Sequence, residues 1–222
     1  MIPLKDDQPT ERFPFVTLLL IAVNAYVFIG WQLREGLAES VALAGFIPQE
    51  LTGHVPGGVT HLVTAMFMHG GWMHLIGNMW FLWIFGNNIE DNCGPFRFLA
   101  FYLLCGAAAT LAYTFFSPQS TVPLVGASGA ISGVLGAYLM HHPKAKIRTL
   151  VPLGIFPLFF NFPAWAFLFV WIGFQILSQF MASLQEGGGD GIAYVAHIGG
   201  FIAGLGLIFF FERPNDYRRL HE

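Results

Sequence analysis

The sequence has little charge. Of 222 residues, 10% are Asp, Glu, Lys or Arg, 55% are hydrophobic, and the mean hydropathy is +0.60. A soluble domain carries about 25% charged residues, so the composition excludes a water-exposed globule and implies a membrane. The formal net charge of -3 points to no nucleic acid and to no acidic partner. Cysteine is scarce too. Cys93 follows one apolar segment and Cys105 lies within the next, so neither a disulfide framework nor a cysteine metal cluster is expected. The opening stretch MIPLKDDQPTERFPF lacks the basic start, short apolar core and small-residue cleavage site of a signal peptide. The first apolar segment is therefore expected to be retained, which favours a plasma or inner membrane of bacterial type. Finally, no Asp or Glu occurs between Phe98 and Gln185.

What the sequence does contain is long apolar runs. A span needs about 20 apolar residues, and proline breaks helix interiors. Turn residues at Ser117–Pro123 divide one overlong run, and Pro152, Pro157 and Pro163 shorten another. The expected spans are approximately 13–33, 72–88, 98–116, 126–141, 164–183 and 192–211. Residues Leu150–Phe162 are too short and proline-rich to cross and are expected at the interface. With six spans, Lys5, Arg12, Arg97, Lys144, Lys146, Arg148, Arg213, Arg218 and Arg219 fall on one side and Arg34 alone on the other. Positive residues mark the cytoplasmic side, so both termini are expected there. No repeat or linker divides residues 1–222. The expectation is a single all-α domain: a polytopic bundle of six transmembrane helices.

Polar residues within spans are rare and point to function. The second, fourth and sixth spans run in the same direction. His74 and Asn78 sit near the start of the second, Ser128 near the start of the fourth, and His197 about a turn into the sixth. At 1.5 Å per residue all four share roughly one depth, just below the outer surface. His74 and Asn78, four apart, share a helix face. Taken singly, each has a bland reading: an interfacial histidine, a back-bonded serine, interhelical glue. The shared depth favours chemistry.

A serine hydroxyl becomes a nucleophile when a neighbouring base takes its proton, and histidine is the usual base near neutral pH. Ser128 lies in Gly126-Ala127-Ser128-Gly129 and opens a helix, whose first amides are unpaired. That amide, with His74 and Asn78, can support an oxyanion. With no acid near, a Ser128–His197 dyad is expected rather than a triad. Such a dyad is slower, because nothing charged orients the imidazole. Gly-x-Ser-x-Gly is absent, since residue 130 is Ala. Gly129, Gly133 and Gly136 on span four, and Gly200 and Gly204 on span six, form small faces that bring helices together.

His74-Leu75-Ile76-Gly77-Asn78, Gly126-Ala127-Ser128-Gly129 and Ala196-His197-Ile198-Gly199-Gly200, in this order on alternate spans, resemble the rhomboid family of intramembrane serine proteases. The resemblance runs from about span one to span six. It implies that Ser128 attacks the scissile carbonyl, that His197 activates it, and that His74, Asn78 and the Ser128 amide form the oxyanion hole. It implies a single-span membrane-protein substrate, cut in or near its transmembrane segment close to the outer face. No cofactor is implied. Gly126, Gly129 and Gly200 are the structural glycines of the site. Glu90, sixteen residues after His74, matches a family acid that caps the inner end of span two. Ser132 departs from members that place an aromatic residue there, stacked on the catalytic imidazole.

Two rival readings are weaker. A metal site would draw on His61, His69, His74 and His197, but neither His-Glu-x-x-His nor a carboxylate accompanies them, so no metal is expected. An ion transporter needs buried charges that spans three to five lack, and a non-catalytic relative would most readily have lost Ser128 or His197. The glycine-rich loop Leu184–Gly191 is expected to move. Span five, through Phe167, Phe169, Trp171 and Phe174, is expected to line a lateral entry. His141 and His142 are expected at the headgroups, without chemistry. Oligomeric state is not legible.

Overall fold

The computed structural model describes residues 1–52, 58–154, 156–183 and 194–213. The chain runs β1 (Ile2–Lys5), α1 (Phe15–Tyr26), a π-helical turn (Val27–Gln32), α2 (Leu33–Glu35), α3 (Leu37–Ala44), α4 (Gln49–Thr52) and α5 (Gly58–Thr64). A 3-10 turn (Ala65–Phe67) then leads to α6 (Trp72–Cys93), α7 (Pro95–Phe116) and α8 (Ser128–His141). After β2 (Lys146–Leu153) and β3 (Phe156–Pro163) come α9 (Ala164–Ser183) and α10 (Tyr194–Phe211). The architecture is a polytopic helical bundle.

Among the described residues, four helical stretches are long and apolar enough to cross a membrane: Phe15–Glu35, Pro95–Phe116, Ala164–Ser183 and Tyr194–Phe211. The other two helices on expected spans differ for physical reasons. α6 is long but carries His74, Asn78, Asn87, Asn88, Glu90 and Asp91. α8 has 14 residues, which at 1.5 Å each reach only about 21 Å. It is also the centre of the bundle, with every residue from Ala130 to Tyr138 buried. A helix that buries all its sides has no lipid-facing stripe.

Backbone contact brings α10 onto α8. A Cβ on Gly200 would collide with the Gly129 carbonyl, and one on Gly204 with the Gly133 carbonyl. The α6–α7 corner is a Gly–Pro junction. Gly94 closes α6 by donating to the Glu90 carbonyl, and Pro95 opens α7, where its missing N–H costs nothing. α1 has no side-chain cap of its own. The Glu90 carboxylate supplies one, accepting from the Val16 and Thr17 amides at 2.8 and 2.7 Å and from Thr17 Oγ1 at 2.8 Å.

The proline-rich stretch expected at the interface forms two strands of an antiparallel sheet, ordered β1-β2-β3. β2 and β3 pair in register from Lys146↔Pro163 to Leu153↔Phe156, and β1 adds Ile2↔Leu150 on the other edge. Pro152 pairs with Pro157, so the two missing donors face one another and the rest of the ladder survives. Cys93 and Cys105 are both buried and joined in no disulfide.

Candidate active site

Three local features set the stage. The extended chain before α8 exchanges hydrogen bonds between Leu124 and Phe46, and the Gly126 amide then donates to the Ala65 carbonyl at 2.8 Å. This delivers Ser128 to the first position of α8. The π-helical turn ends on Gln32, whose buried amide clasps the backbone of His69. It donates to the carbonyl at 3.0 Å and accepts from the N–H at 2.9 Å. That clasp fixes the chain just before α6, and therefore His74. Burial, with His74 beside it, pushes His69 down to about 3, so its ring is neutral where it meets His74 edge-on at 5.1 Å.

His197 Nε2 lies 2.8 Å from Ser128 Oγ. Its other nitrogen, Nδ1, lies 2.8 Å from Gln175 Oε1 on α9. An amide oxygen only accepts, so Nδ1 carries the proton and Nε2 presents its lone pair to the serine hydroxyl. His74 is oriented the opposite way. The Gly70 amide donates to His74 Nδ1 at 3.3 Å, which leaves Nε2 as the protonated nitrogen. Gly126 shows where that nitrogen points. At φ 119 it takes a backbone conformation that favours glycine, and a Cβ there would lie 2.6 Å from His74 Nε2 and 3.5 Å from Ser128 Oγ. His74 Nε2 and Ser128 Oγ thus border one small space, which any side chain at 126 would fill.

Asn78 is buried one turn below and donates through Nδ2 to the His74 carbonyl at 2.9 Å. All four residues, with Gln175 and Trp171, line one cavity of about 920 Å³. The sequence-derived set of Ser128, His197, His74 and Asn78 is brought together, with Gly126 and Gly129 in the same wall and Gly200 packed against Gly129. Glu90 is not brought there. It lies twelve residues beyond Asn78, about 18 Å along α6, where it caps α1. Ser132 bonds back to the Ser128 carbonyl at 2.6 Å. The aromatic neighbours of His197 come from elsewhere: Trp171 of α9 at 6.3 Å and Tyr194 of α10 edge-on at 6.4 Å. The loop Leu184–Gly191 lies outside the described residues.

Gln175 is the site residue that sequence reasoning missed. The signal was faint: α9 has no charged residue, but Ser178 and Gln179 share the helix with Gln175. His61, grouped with the other histidines by sequence proximity, lies apart and pairs with Glu50 at 2.8 Å. Among the described residues no group of three metal-ligating side chains forms.

A helical membrane bundle with a hydrogen-bonded serine–histidine pair in a cavity is the class that fold and site define together. The chain matches the Rhomboid domain over residues 56–214, and it belongs to the rhomboid family. It is 34% identical to the Rhomboid protease GluP of Bacillus subtilis over 140 residues, covering 62% of this chain and 27% of that protein. It is 30% identical to the yeast (Saccharomyces cerevisiae) Rhomboid protein 1, mitochondrial, over 193 residues, covering 84% of this chain and 50% of that one. Rhomboid-like protein 11, chloroplastic, of Arabidopsis thaliana is 26% identical over 162 residues, covering 68% and 52% respectively. The chain thus spans about half or less of the length of these relatives.

Proposed function

We propose that this chain is an intramembrane serine endopeptidase that cleaves a peptide bond in or near the transmembrane segment of single-span membrane proteins. The observation that carries the reading is the 2.8 Å contact between Ser128 Oγ and His197 Nε2. Ser128 Oγ attacks the scissile carbonyl carbon as His197 Nε2 takes its proton. The carbonyl oxygen becomes an oxyanion, held by His74 Nε2–H, the Asn78 amide group and the Ser128 backbone N–H. On collapse the C–N bond breaks and His197 returns its proton to the leaving amine. Water, deprotonated by the same nitrogen, then releases the acyl group from Ser128. Preorganised donors of this kind act most strongly where water is excluded.

In this reading the chain is one domain of six membrane-crossing helices, both termini are cytoplasmic, and the site lies near the outer face of a plasma or inner membrane. α8 crosses while buried by its neighbours, and α6 crosses with a face carrying Met73, Ile76, Trp80 and Trp83 exposed. The substrate enters from the bilayer beside α9, past Trp171.

The test is cleavage of a single-span substrate by purified protein in liposomes. Ser128→Ala and His197→Ala are each expected to reduce the rate by about a thousandfold or more. Undiminished cleavage in either variant would overturn the dyad. Absence of cleavage by the unaltered protein across a panel of substrates, with those substrates still bound, would instead mark a non-catalytic binder of membrane segments.

A further inference from the structure

Gln175 raises a question that the dyad alone does not answer: what aims His197? α9 contains no charged residue, and a buried amide costs free energy unless it is hydrogen-bonded. Gln175 is buried, and its Oε1 meets His197 Nδ1 at 2.8 Å while Nε2 of the same ring meets Ser128 Oγ at 2.8 Å. A plain interhelical contact would tie α9 to α10 through any pair of polar atoms. This one uses an acceptor-only atom on the one imidazole nitrogen that must carry the proton.

Accepting the serine–histidine reading above, we infer that Gln175 is a positioning residue for the reaction: its carboxamide oxygen selects the Nδ1-protonated tautomer of His197 and fixes the ring towards Ser128. It takes the place an aspartate holds in a soluble triad, without a charge. A carboxylate buried at this depth would be expensive to desolvate. The neutral acceptor avoids that cost but stabilises the imidazolium less. Among the described residues, the groups facing His197 are Ser128 from α8, Gln175 and Trp171 from α9, and Tyr194 from its own helix. His74 from α6 is a further titratable group lining the same cavity.

The experiment compares Gln175→Leu and Gln175→Glu with the unaltered protein in liposomes, with Ser128→Ala as control. Gln175→Leu keeps the size and removes the acceptor. Its kcat is expected to fall about 10- to 100-fold, the range in which hydrogen-bonded partners of metal-bound histidines act, with KM unchanged. Gln175→Glu restores the acceptor and adds charge. It is expected to recover most of kcat and to move the acid limb of the pH–rate profile upward by about one unit or more. An unchanged kcat in Gln175→Leu overturns the inference, and so does an unmoved acid limb in Gln175→Glu. If Gln175→Leu fails to fold, the Gln175→Glu profile decides alone. The His197 Nδ1 proton resonance in 15N-histidine protein gives a readout independent of turnover. Its persistence in Gln175→Leu overturns the positioning role, whereas cleavage persisting in Ser128→Ala overturns the catalytic reading instead.

Discussion

At the scale of single residues, the site is an exercise in tautomers. Two histidines in one cavity are fixed in opposite senses. His197 holds its proton on Nδ1 through Gln175, and His74 holds its own on Nε2 through the Gly70 amide. One ring is left with a free lone pair and the other with a free N–H, without any charged partner. His74→Ala and Asn78→Ala should each lower kcat by about a hundredfold, the effect of deleting one oxyanion donor. The rate at which a fluorophosphonate labels Ser128 should fall in parallel, because that reagent also builds charge on oxygen. Labelling at the unaltered rate would remove both side chains from the oxyanion hole. Ser128, His197, His74 and Asn78 were legible in the sequence because helical rise alone puts them at one depth. Gln175 was not. Depth can be counted along a helix, but which face of α9 meets α10 depends on packing that a helix holding Gln175, Ser178 and Gln179 does not reveal from sequence.

At the scale of elements, α9 differs from its neighbours. α8 is buried all round, whereas Phe169 and Phe174 of α9 are 60% and 62% exposed, and Phe167 alone of its expected entry aromatics lies in the core. Trp171 is the α9 aromatic ring that reaches His197. A substrate helix arriving beside α9 would therefore displace few contacts. An engineered disulfide joining α9 to α6 at the level of Trp171 and Phe81, both in the cavity wall, should abolish cleavage of a membrane-embedded substrate, with activity returning on reduction. Cleavage unaffected by the crosslink would exclude entry between these helices. The long helices were readable from apolar length and proline position; the short α3, α4 and α5 between the first two were not. The strands were not, because β3 reads FPLFFNFP, apolar on both faces and without the alternation that marks a half-buried strand.

At the scale of the whole molecule, the end opposite the site is knitted together by polar contacts between distant segments. Tyr138 donates to Asp6, the Lys146 amide donates to Asp7, Trp80 Nε1 donates to the Pro3 carbonyl, and Asn92 meets His142. His142 is held down to about 4, by burial first and by the neighbouring His141 second. Between pH 6.5 and 4 the unfolded chain binds a proton at this position that the folded one does not. The stability contributed by this group should therefore fall as pH drops through that window and level off below it. The midpoint of thermal unfolding in detergent should show this decline, and His142→Asn should make it shallower, His69 supplying a remainder of the same sign; an equal decline in the variant would assign the effect elsewhere. The sheet at this end carries a consequence for biosynthesis. β1 is made first, yet its partner β2 lies more than 140 residues later, beyond four of the bundle's long helices. During translation the opening residues must wait, unpaired, until those helices are inserted and the hairpin has emerged. Closure of that strand can therefore follow only after α8 has been made.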